Sequence, residues 1–351
     1  MIGRRDFLSS LAYAGLAARL RSPRAELRHW TWVHGDAERS PTDWLARFKR
    51  TRAAGIGAVL ANGGETGILA RAAESAGLRF HRWVWILNRT GDGWVKEHHP
   101  EWFTVSRNGE SSLEKPPYVG YYQWLCPTRP EVRKYLARHV AEVARHPKVQ
   151  GVHLDYIRHC DVILPSGLWA KYGLVQDHEM AQFDFCYCVA CRTAFREQHG
   201  KDPLHLPDPS ASVEWRQFRW NSVTRLVREL ASAVKAERKR ITAAVFPTPT
   251  IARTLVRQSW NEWPLDAFFP MLYNTFYREG LSWIGRGVEE DVAALPPGRP
   301  VYAGLYLPDL TPDALQTAVR TAADAGASGV SLFQMDGLTD GHVAALRAVG
   351  G

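Results

Sequence analysis

Residues 149–158 read VQGVHLDYIR, and this stretch decides the fold. Val149, Val152 and Leu154 form a short apolar strand, and Asp155 stands where that strand ends. Short apolar runs are typical of strands that are buried on both faces of a parallel sheet. In a barrel of such strands, reactive side chains follow the carboxyl ends. The stretch therefore predicts a buried strand with Asp155 at its carboxyl end, where the side chain faces a functional site.

Apolar runs alternate with helix-like stretches on both sides of this strand. We predict eight strands, at residues 27–33, 56–61, 80–87, 149–157, 241–246, 267–273, 301–307 and 329–333. Helices are predicted between them, for example over residues 41–52 and 130–145, each with a proline at its first position. The sequence contains neither a dinucleotide-binding fingerprint nor a phosphate-binding loop. This alternation predicts a (β/α)8 TIM barrel of the α/β class rather than an open sheet.

The start and the middle of the chain depart from the alternation. Residues 4–18 hold two arginines, Phe-Leu and a short apolar run, which is typical of a twin-arginine export signal. We expect residues 1–24 to lie outside the fold and to direct the protein to the periplasm or the exterior. The barrel is expected over residues 25–351, with a cysteine-bearing insertion at about 160–212 after the fourth strand. The apolar runs are too short to span a bilayer.

Composition narrows the class of partner. The formal net charge is +8, but the arginines are scattered along predicted helices, whereas a nucleic-acid binder concentrates its basic residues on one face. The chain has 14 tryptophans, many of them near predicted strand ends. Their flat apolar rings suit stacking on sugars, beside polar groups that bind hydroxyls. The composition thus favours a carbohydrate over a nucleic acid as partner and leaves the oligomeric state open.

Cleavage of a glycosidic bond usually needs two carboxyl groups, one to protonate the leaving oxygen and one to act as nucleophile or to activate water. Asp155 is the first candidate because it directly ends an apolar strand. Asp336, after the eighth strand, is the second candidate, although Asp336-Gly337 also fits a turn. Asp309 and Glu262 are weaker alternatives. Residues near the other strand ends are the candidate sugar ligands: Trp32, Trp85, Asn88, Tyr156, Arg158, Tyr273, Asn274 and Asp309.

Cysteines cluster in the predicted insertion. Cys186, Cys188 and Cys191 lie within six residues, where mutual disulfides would be strained. Three thiolates at this spacing suit one Zn²⁺ ion. The fourth ligand is Cys126 or Cys160, and buried thiols or a disulfide are the alternative to a metal. The pattern predicts a structural zinc site that fixes the insertion to the barrel rim.

Three motifs together resemble known families. The CPT of residues 126–128, the HLDYIR of 153–158 and the CYCVACRTAF of 186–195 follow the layout of barrel glycoside hydrolases and of related glycosyl hydrolase-like families. The cysteine run with the earlier Cys-Pro is similar to the zinc cluster of family 42 β-galactosidases. That resemblance implies a metal-ligand set without Cys160, which consists of Cys126, Cys186, Cys188 and Cys191.

The HLDYIR motif, with the WP…FFPMLY run of residues 263–273, resembles the family-10-like group of glycosyl hydrolase-like proteins. The galactosidases carry Asn-Glu where this chain has Tyr156-Ile157, so their activity does not carry over. The family-10-like group keeps an aspartate at this point, which implies that Asp155 is the acid.

These features predict an exported glycoside hydrolase that acts on an oligo- or polysaccharide with Asp155 and Asp336. Two alternatives remain open at this point. One is a barrel that binds carbohydrate without cleaving it, and the other is a hydrolase of another type, such as a deacetylase or an enzyme directed at peptidoglycan.

Overall fold

The computed structural model describes residues 28–350, so the predicted export segment at residues 1–24 lies outside the described residues. Eight strands form one sheet: β1 His29–Gly35, β2 Ile56–Gly63, β3 Arg79–Trp85, β4 Gly151–Asp155, β5 Arg240–Val245, β6 Ala267–Pro270, β7 Tyr302–Tyr306 and β8 Gly329–Phe333. Neighbours pair in parallel in the order β6-β5-β4-β3-β2-β1-β8-β7. Parallel bridges from Phe268 to Val301 and from Met271 to Gly304 join β6 to β7. The predicted (β/α)8 barrel is thus confirmed.

Helices surround the strands. They are α1 Pro41–Ala53, α2 Thr66–Ser75, α3 Gly93–His98, α4 Pro130–Arg145, α5 Val189–His199, α6 Val213–Ala236, α7 Pro249–Val256, α8 Ser282–Ala293, α9 Pro312–Asp324 and α10 Asp340–Gly350. Ser40 and Thr311 cap α1 and α9 by accepting hydrogen bonds from backbone N–H groups in the first turn, as their sequences predict. In residues 28–350, none of the helices is both long and apolar enough to cross a membrane.

The fourth strand is shorter than predicted. It ends at Asp155 because Tyr156 has a φ of 48°, in the left-handed region that extended strands do not use. Val149 and Ile157, which flank the strand, are still fully buried. The turn at Tyr156 therefore places Asp155 at the end of the strand.

Aromatic rings and two histidines fill the barrel interior. Trp30 and Phe269 are buried there with their ring centroids 5.2 Å apart. The Nδ1 atoms of His81 and His153 lie 3.4 and 2.9 Å from the hydroxyl of Thr242. Burial lowers the pKa of both histidines, so they remain neutral in the core. The interior is a packed core and not a channel, which leaves the ends of the barrel for function.

One buried carboxyl group in the fold has no partner. Asp291, on α8, is fully buried, and neither of its oxygens has a hydrogen-bond partner among the described residues. Burial, assisted by the charge of Glu290, raises the pKa of Asp291 well above its usual range. The folded protein therefore retains a proton that the unfolded chain releases above about pH 4. The stability that this proton gives is fully present below that pH and is lost as the pH rises through the folded pKa.

We expect Asp291→Asn to raise the free energy of unfolding at neutral pH by about 1–3 kcal/mol, because the amide needs no proton to remain uncharged. At about pH 3 the gain should vanish, since the carboxyl group is protonated in both states. Chemical denaturation at the two pH values measures the difference, with the exposed Asp340→Asn as control. A gain of equal size at both pH values would contradict this account of Asp291.

Candidate functional site

A cavity of about 230 Å³ opens at the carboxyl end of the barrel. One part of its lining comes from residues at or just after strand ends: His34, Trp83, Trp85, Asp155, Tyr156, Phe246, Pro247, Met271, Tyr273 and Phe333. The other part comes from loops and the insertion: Tyr122, Arg158, Asp161, Leu164, Pro165, Leu168, Tyr172, Phe276 and Tyr277. Enzymes with a (β/α)8 barrel fold carry their active sites at this end of the barrel.

Asp155 reaches the cavity from the end of β4. Trp83 Nε1 donates a hydrogen bond of 2.9 Å to its Oδ2, and the backbone N–H of Tyr156 donates one of 2.7 Å to its Oδ1. Burial raises the pKa of Asp155, although these two hydrogen bonds and the charge of Arg158 oppose the shift. A carboxyl group with a raised pKa holds a proton closer to neutral pH and can donate it to a leaving group. The arrangement suits a general acid.

Arg158 and Asp161 form a buried ion pair beside Asp155. Arg158 Nη1 donates to Asp161 Oδ2 at 2.8 Å, and the guanidinium carbon lies 4.8 Å from the ring centroids of both Trp124 and Phe246. Such contacts stabilise the cation. The sequence analysis missed Asp161, for which the available signal was an arginine and an aspartate spaced three residues apart. The cavity thus contains a second carboxylate.

Aromatic side chains make up most of the remaining wall. The ring of Trp85 lies 4.7 Å from that of Tyr156, and the ring of Trp83 lies 4.8 Å from that of His34. Apolar faces beside a few polar groups are typical of sites that bind small ligands, and aromatic faces can stack on sugar rings. The cavity can therefore accommodate a sugar next to Asp155.

The structure brings several of the predicted residues together and leaves others apart. Those that line the cavity are Trp85, Asp155, Tyr156, Arg158 and Tyr273. Trp32 instead packs against Phe269 inside the barrel, below the cavity. The buried Asn88 bridges to the backbone of Trp124. These two residues do not line the cavity because neighbouring chain segments cover them.

Loop contacts hold three further predicted residues outside the lining. Asn274 Nδ2 donates to the backbone carbonyl of Glu279 at 2.8 Å, and Asp309 accepts from the hydroxyl of Thr275. Glu262, a weaker candidate, accepts from the hydroxyl of Ser259 at 2.8 Å.

Asp336 lies in a different pocket. The turn after β8 directs its carboxylate to Arg47 on α1, with which it forms an ion pair. Arg47, Thr51 and Leu338 line this second pocket together with Asp336. The expected grouping of Asp155 and Asp336 in one cavity is therefore not found, because the turn to which the Asp-Gly pair belongs points the side chain toward α1.

Four buried cysteine sulfurs lie within 4.8 Å of one another, those of Cys126, Cys186, Cys188 and Cys191. Cys126 Sγ is 3.4 Å from Cys191 Sγ and 3.6 Å from Cys188 Sγ. Tetrahedral zinc with Zn–S bonds of about 2.3 Å would hold its sulfurs about 3.8 Å apart, so this donor set fits such an ion. Cys160 is buried elsewhere. The four cysteines can hold one metal ion, and they are the set that the resemblance implies.

The cysteine cluster joins two separate parts of the chain. Cys126 lies in the loop that leads into α4, whereas Cys186 and Cys188 lie just before α5 in the insertion and Cys191 lies in its first turn. A bridge from Ser106 to Phe185 connects the loop to the insertion as well, and a bridge from Phe103 to Leu125 pairs two parts of that loop. The backbone N–H groups of Val105 and Cys188 approach Cys186 Sγ at 3.5 Å. The cluster therefore connects the insertion to the loop that follows β3.

Residues 66–162 match the family model described as Glycosyl hydrolase-like 10. This match contains Asp155, Arg158 and Asp161, and it agrees with the resemblance carried by the HLDYIR motif. Among curated protein sequences, none matches the chain.

Several solved glycoside hydrolases have a similar fold. The chain is similar to the glycoside hydrolase domain of PgaB (BpsB) from Bordetella bronchiseptica, with a TM-score of 0.67 and 12% identity over 93% of this chain and 99% of that one. It is also similar to the catalytic domain of β-amylase from Paenibacillus polymyxa (TM-score 0.62, 10% identity, 92% and 95% covered). A third similar structure is that of a class V chitinase from Pseudomonas fluorescens Pf-5. Its TM-score is 0.53 and its sequence identity is 12%, over 92% of this chain and 99% of that one. The chain thus shares its barrel fold with these glycoside hydrolases.

Proposed function

We propose that this glycoside hydrolase-type barrel hydrolyses the O-glycosidic bonds of an oligo- or polysaccharide, with Asp155 as the general acid. The observation that carries the proposal is the position of Asp155 at the end of β4, in an aromatic cavity where burial raises the pKa of its carboxyl group. Trp83 and the Tyr156 backbone orient the two carboxyl oxygens. A protonated, oriented carboxyl group can protonate the oxygen of the leaving sugar.

Asp161 is the better candidate for the second carboxyl group. It lines the same cavity as Asp155, whereas Asp336 is paired with Arg47 in another pocket. Arg158 pairs with Asp161 at 2.8 Å and holds its carboxylate in the cavity lining. In this scheme Asp155 donates the proton, and Asp161 either activates water or attacks the anomeric carbon. Trp85, Tyr156 and Tyr273 contact the sugar from the cavity wall.

A glycan panel tests this proposal directly. The purified chain is incubated with neutral, amino and acidic oligo- and polysaccharides, and new reducing ends are measured. Release of reducing ends from at least one glycan is the expected result. An absence of release across the panel would contradict the proposal.

Binding without cleavage is the second candidate function. The observation that favours it is the Arg158–Asp161 ion pair, which occupies one of the two carboxylates that a hydrolase would use. A carbohydrate-binding barrel would retain a sugar without releasing reducing ends. The same panel separates the two candidates when binding is measured alongside hydrolysis.

We also propose that the four cysteines hold a structural Zn²⁺. Support comes from their fit to a tetrahedral set of four sulfurs, which leaves no position open for substrate. The ion would cross-link the insertion to the loop before α4 and would take no part in the chemistry at Asp155. Its effect on stability is treated in the Discussion.

We propose in addition that the chain is exported by the twin-arginine route. Support comes from the two arginines, the Phe-Leu pair and the short apolar run at residues 4–18. Because this route carries folded proteins, the metal would be bound before export. Cell fractionation should find the expressed protein in the periplasm or the medium. A variant with both arginines replaced by lysine should remain in the cytoplasm. Equal distribution of the two proteins would contradict export by this route.

A further inference from the structure

A wall closes one side of the cavity. Residues 164–172, called the wall segment here, contribute Leu164, Leu168 and Tyr172 to the lining. The loop after β6 contributes Phe276 and Tyr277 to the same lining. The two segments therefore form one continuous side of the cavity between the ends of β4 and β6.

The wall segment and the loop after β6 touch at Gly167. A Cβ atom at this position would lie 2.3 Å from the carbonyl oxygen of Thr275 and 2.7 Å from that of Phe276. Both distances are shorter than any normal contact, so only glycine allows the two backbones to approach this closely. Two hydrogen bonds hold the segment in place, from Trp169 Nε1 to the Leu164 carbonyl and from Leu164 N–H to Gln176 Oε1, each 2.8 Å long.

The volume of the cavity limits what can enter. Its volume of about 230 Å³ is below the lower limit of about 300 Å³ that is usual for pockets that hold drug-sized ligands. A polysaccharide that is cut in its interior must pass through a cleft that is open on both sides. The wall segment and the loop after β6 meet on one side of this cavity, so its shape suits the end of a chain.

Polar groups in the cavity match a hydroxyl-rich ring without an acidic group. The hydroxyls of Tyr122, Tyr273 and Tyr277 make no hydrogen bond within residues 28–350, and burial raises the pKa of all three, so they stay neutral donors and acceptors. Arg158 is already paired with Asp161, and burial lowers the pKa of His34. A buried carboxylate or sulfate on the sugar would thus lack an unpaired cation.

We propose that the cavity receives one terminal, non-acidic sugar of a glycan, so that the enzyme removes residues from a chain end instead of cutting in the interior. The inference rests on the proposed function and defines the substrate for the same site. The wall at Gly167 restricts cleavage to the end of the glycan chain. The three tyrosine hydroxyls contact the hydroxyls of the terminal ring.

The first test uses oligomers of β-linked glucose, galactose and N-acetylglucosamine, from dimer to hexamer, with the matched polymers. The expected early products are the monomer and a chain one unit shorter. Early appearance of internal fragments would overturn the inference and leave the hydrolase proposal intact. Binding of the same oligomers, followed by tryptophan fluorescence, is measured in parallel.

The binding measurement separates failure of the inference from failure of the proposed function. If nothing is cleaved but dimer and hexamer bind with affinities within about tenfold of each other, chain-end recognition stands and hydrolysis fails. If affinity increases steeply with chain length, or if no oligomer binds, the inference is overturned.

The second test displaces the wall. Gly167→Leu should raise KM for the dimer by about tenfold, a loss of about 1.4 kcal/mol of binding, and should allow internal fragments to appear from longer chains. Gly167→Ala is the milder variant if the leucine prevents folding, and it should change the products in the same direction. Gly280→Ala is the control, because a Cβ there meets no atom within 4 Å. Unchanged products and KM in folded Gly167 variants would overturn the role of the wall.

Discussion

Asp155→Asn should reduce hydrolysis of the best glycan by at least about 100-fold and by up to about 10⁴-fold, which is the usual contribution of a general acid. The amide retains the size of the carboxyl group and can accept the hydrogen bonds from Trp83 and the Tyr156 backbone at one oxygen only. It has no acidic proton to donate. We therefore expect a loss in kcat with little change in the unfolding temperature.

The pH dependence of the wild-type enzyme provides an independent signature of the same group. Because burial raises the pKa of Asp155, the active protonated form persists to a higher pH than for an exposed aspartate. The rate should fall as the pH rises through that raised pKa, and this limb of the profile should disappear in the residual activity of Asp155→Asn. A folded Asp155→Asn variant with wild-type kcat would contradict the assignment.

Two further substitutions identify the second carboxyl group. Asp161→Asn removes the carboxylate from the cavity, whereas Asp336→Asn breaks the ion pair with Arg47 in the other pocket. The geometry predicts the larger loss of kcat for Asp161→Asn. A larger loss of kcat for Asp336→Asn would instead identify Asp336 as the second catalytic carboxyl group.

Loss of the cysteine cluster should have the largest effect on stability. Cys188→Ala removes one of four sulfurs, and we expect the purified variant to lose its zinc and at least about 4 kcal/mol of unfolding free energy, the stabilisation that a ligand gives at about 1,000 times its Kd. Elemental analysis and chemical denaturation measure the two quantities. Cys160→Ala is the matched control, because Cys160 is a buried thiol outside the cluster.

The control should retain its metal and lose little stability beyond the cost of a small cavity. A wild-type protein without zinc, together with a disulfide mapped among the four cysteines, would contradict the metal site. Equal losses in Cys188→Ala and Cys160→Ala would show that only thiol packing contributes.

Loss of the cysteine cluster should also displace residues that line the cavity. Cys126 follows Trp124 by two residues, and the ring of Trp124 lies 5.5 Å from that of Tyr156 and 4.8 Å from the guanidinium carbon of Arg158. A shift of the loop would therefore move groups that line the cavity beside Asp155. This path connects the structural site with the proposed chemistry through direct packing.

Local signals in the sequence predicted most of the barrel. The bounds of α4 and β8 agree with the prediction, since Pro130 marks the start of the helix and Gly329 the start of the strand. The short helices α3, α5 and α7 were missed. Their 6, 11 and 8 residues lie among prolines, aromatics and cysteines, and tertiary contacts decide their conformation.

The candidate site could be predicted only where it depends on strand ends. Asp155 was identified because it ends an apolar strand, and the cysteine set because of its spacing. Asp161 was missed because its place in the cavity depends on how the insertion folds back over β4 and pairs Asp161 with Arg158. Asp336 was grouped with Asp155 because sequence position does not show the direction of a side chain in a turn.

Hydrolysis in H₂¹⁸O tests the central claim most directly. Products from the best glycan are analysed by mass spectrometry for wild type and for Asp155→Asn. The account predicts one ¹⁸O atom on the anomeric carbon of the released sugar with wild type, and at least about 100-fold less labelled product with the variant. Labelled product formed equally well by both proteins, or sugar binding by wild type without any labelled product, would contradict it.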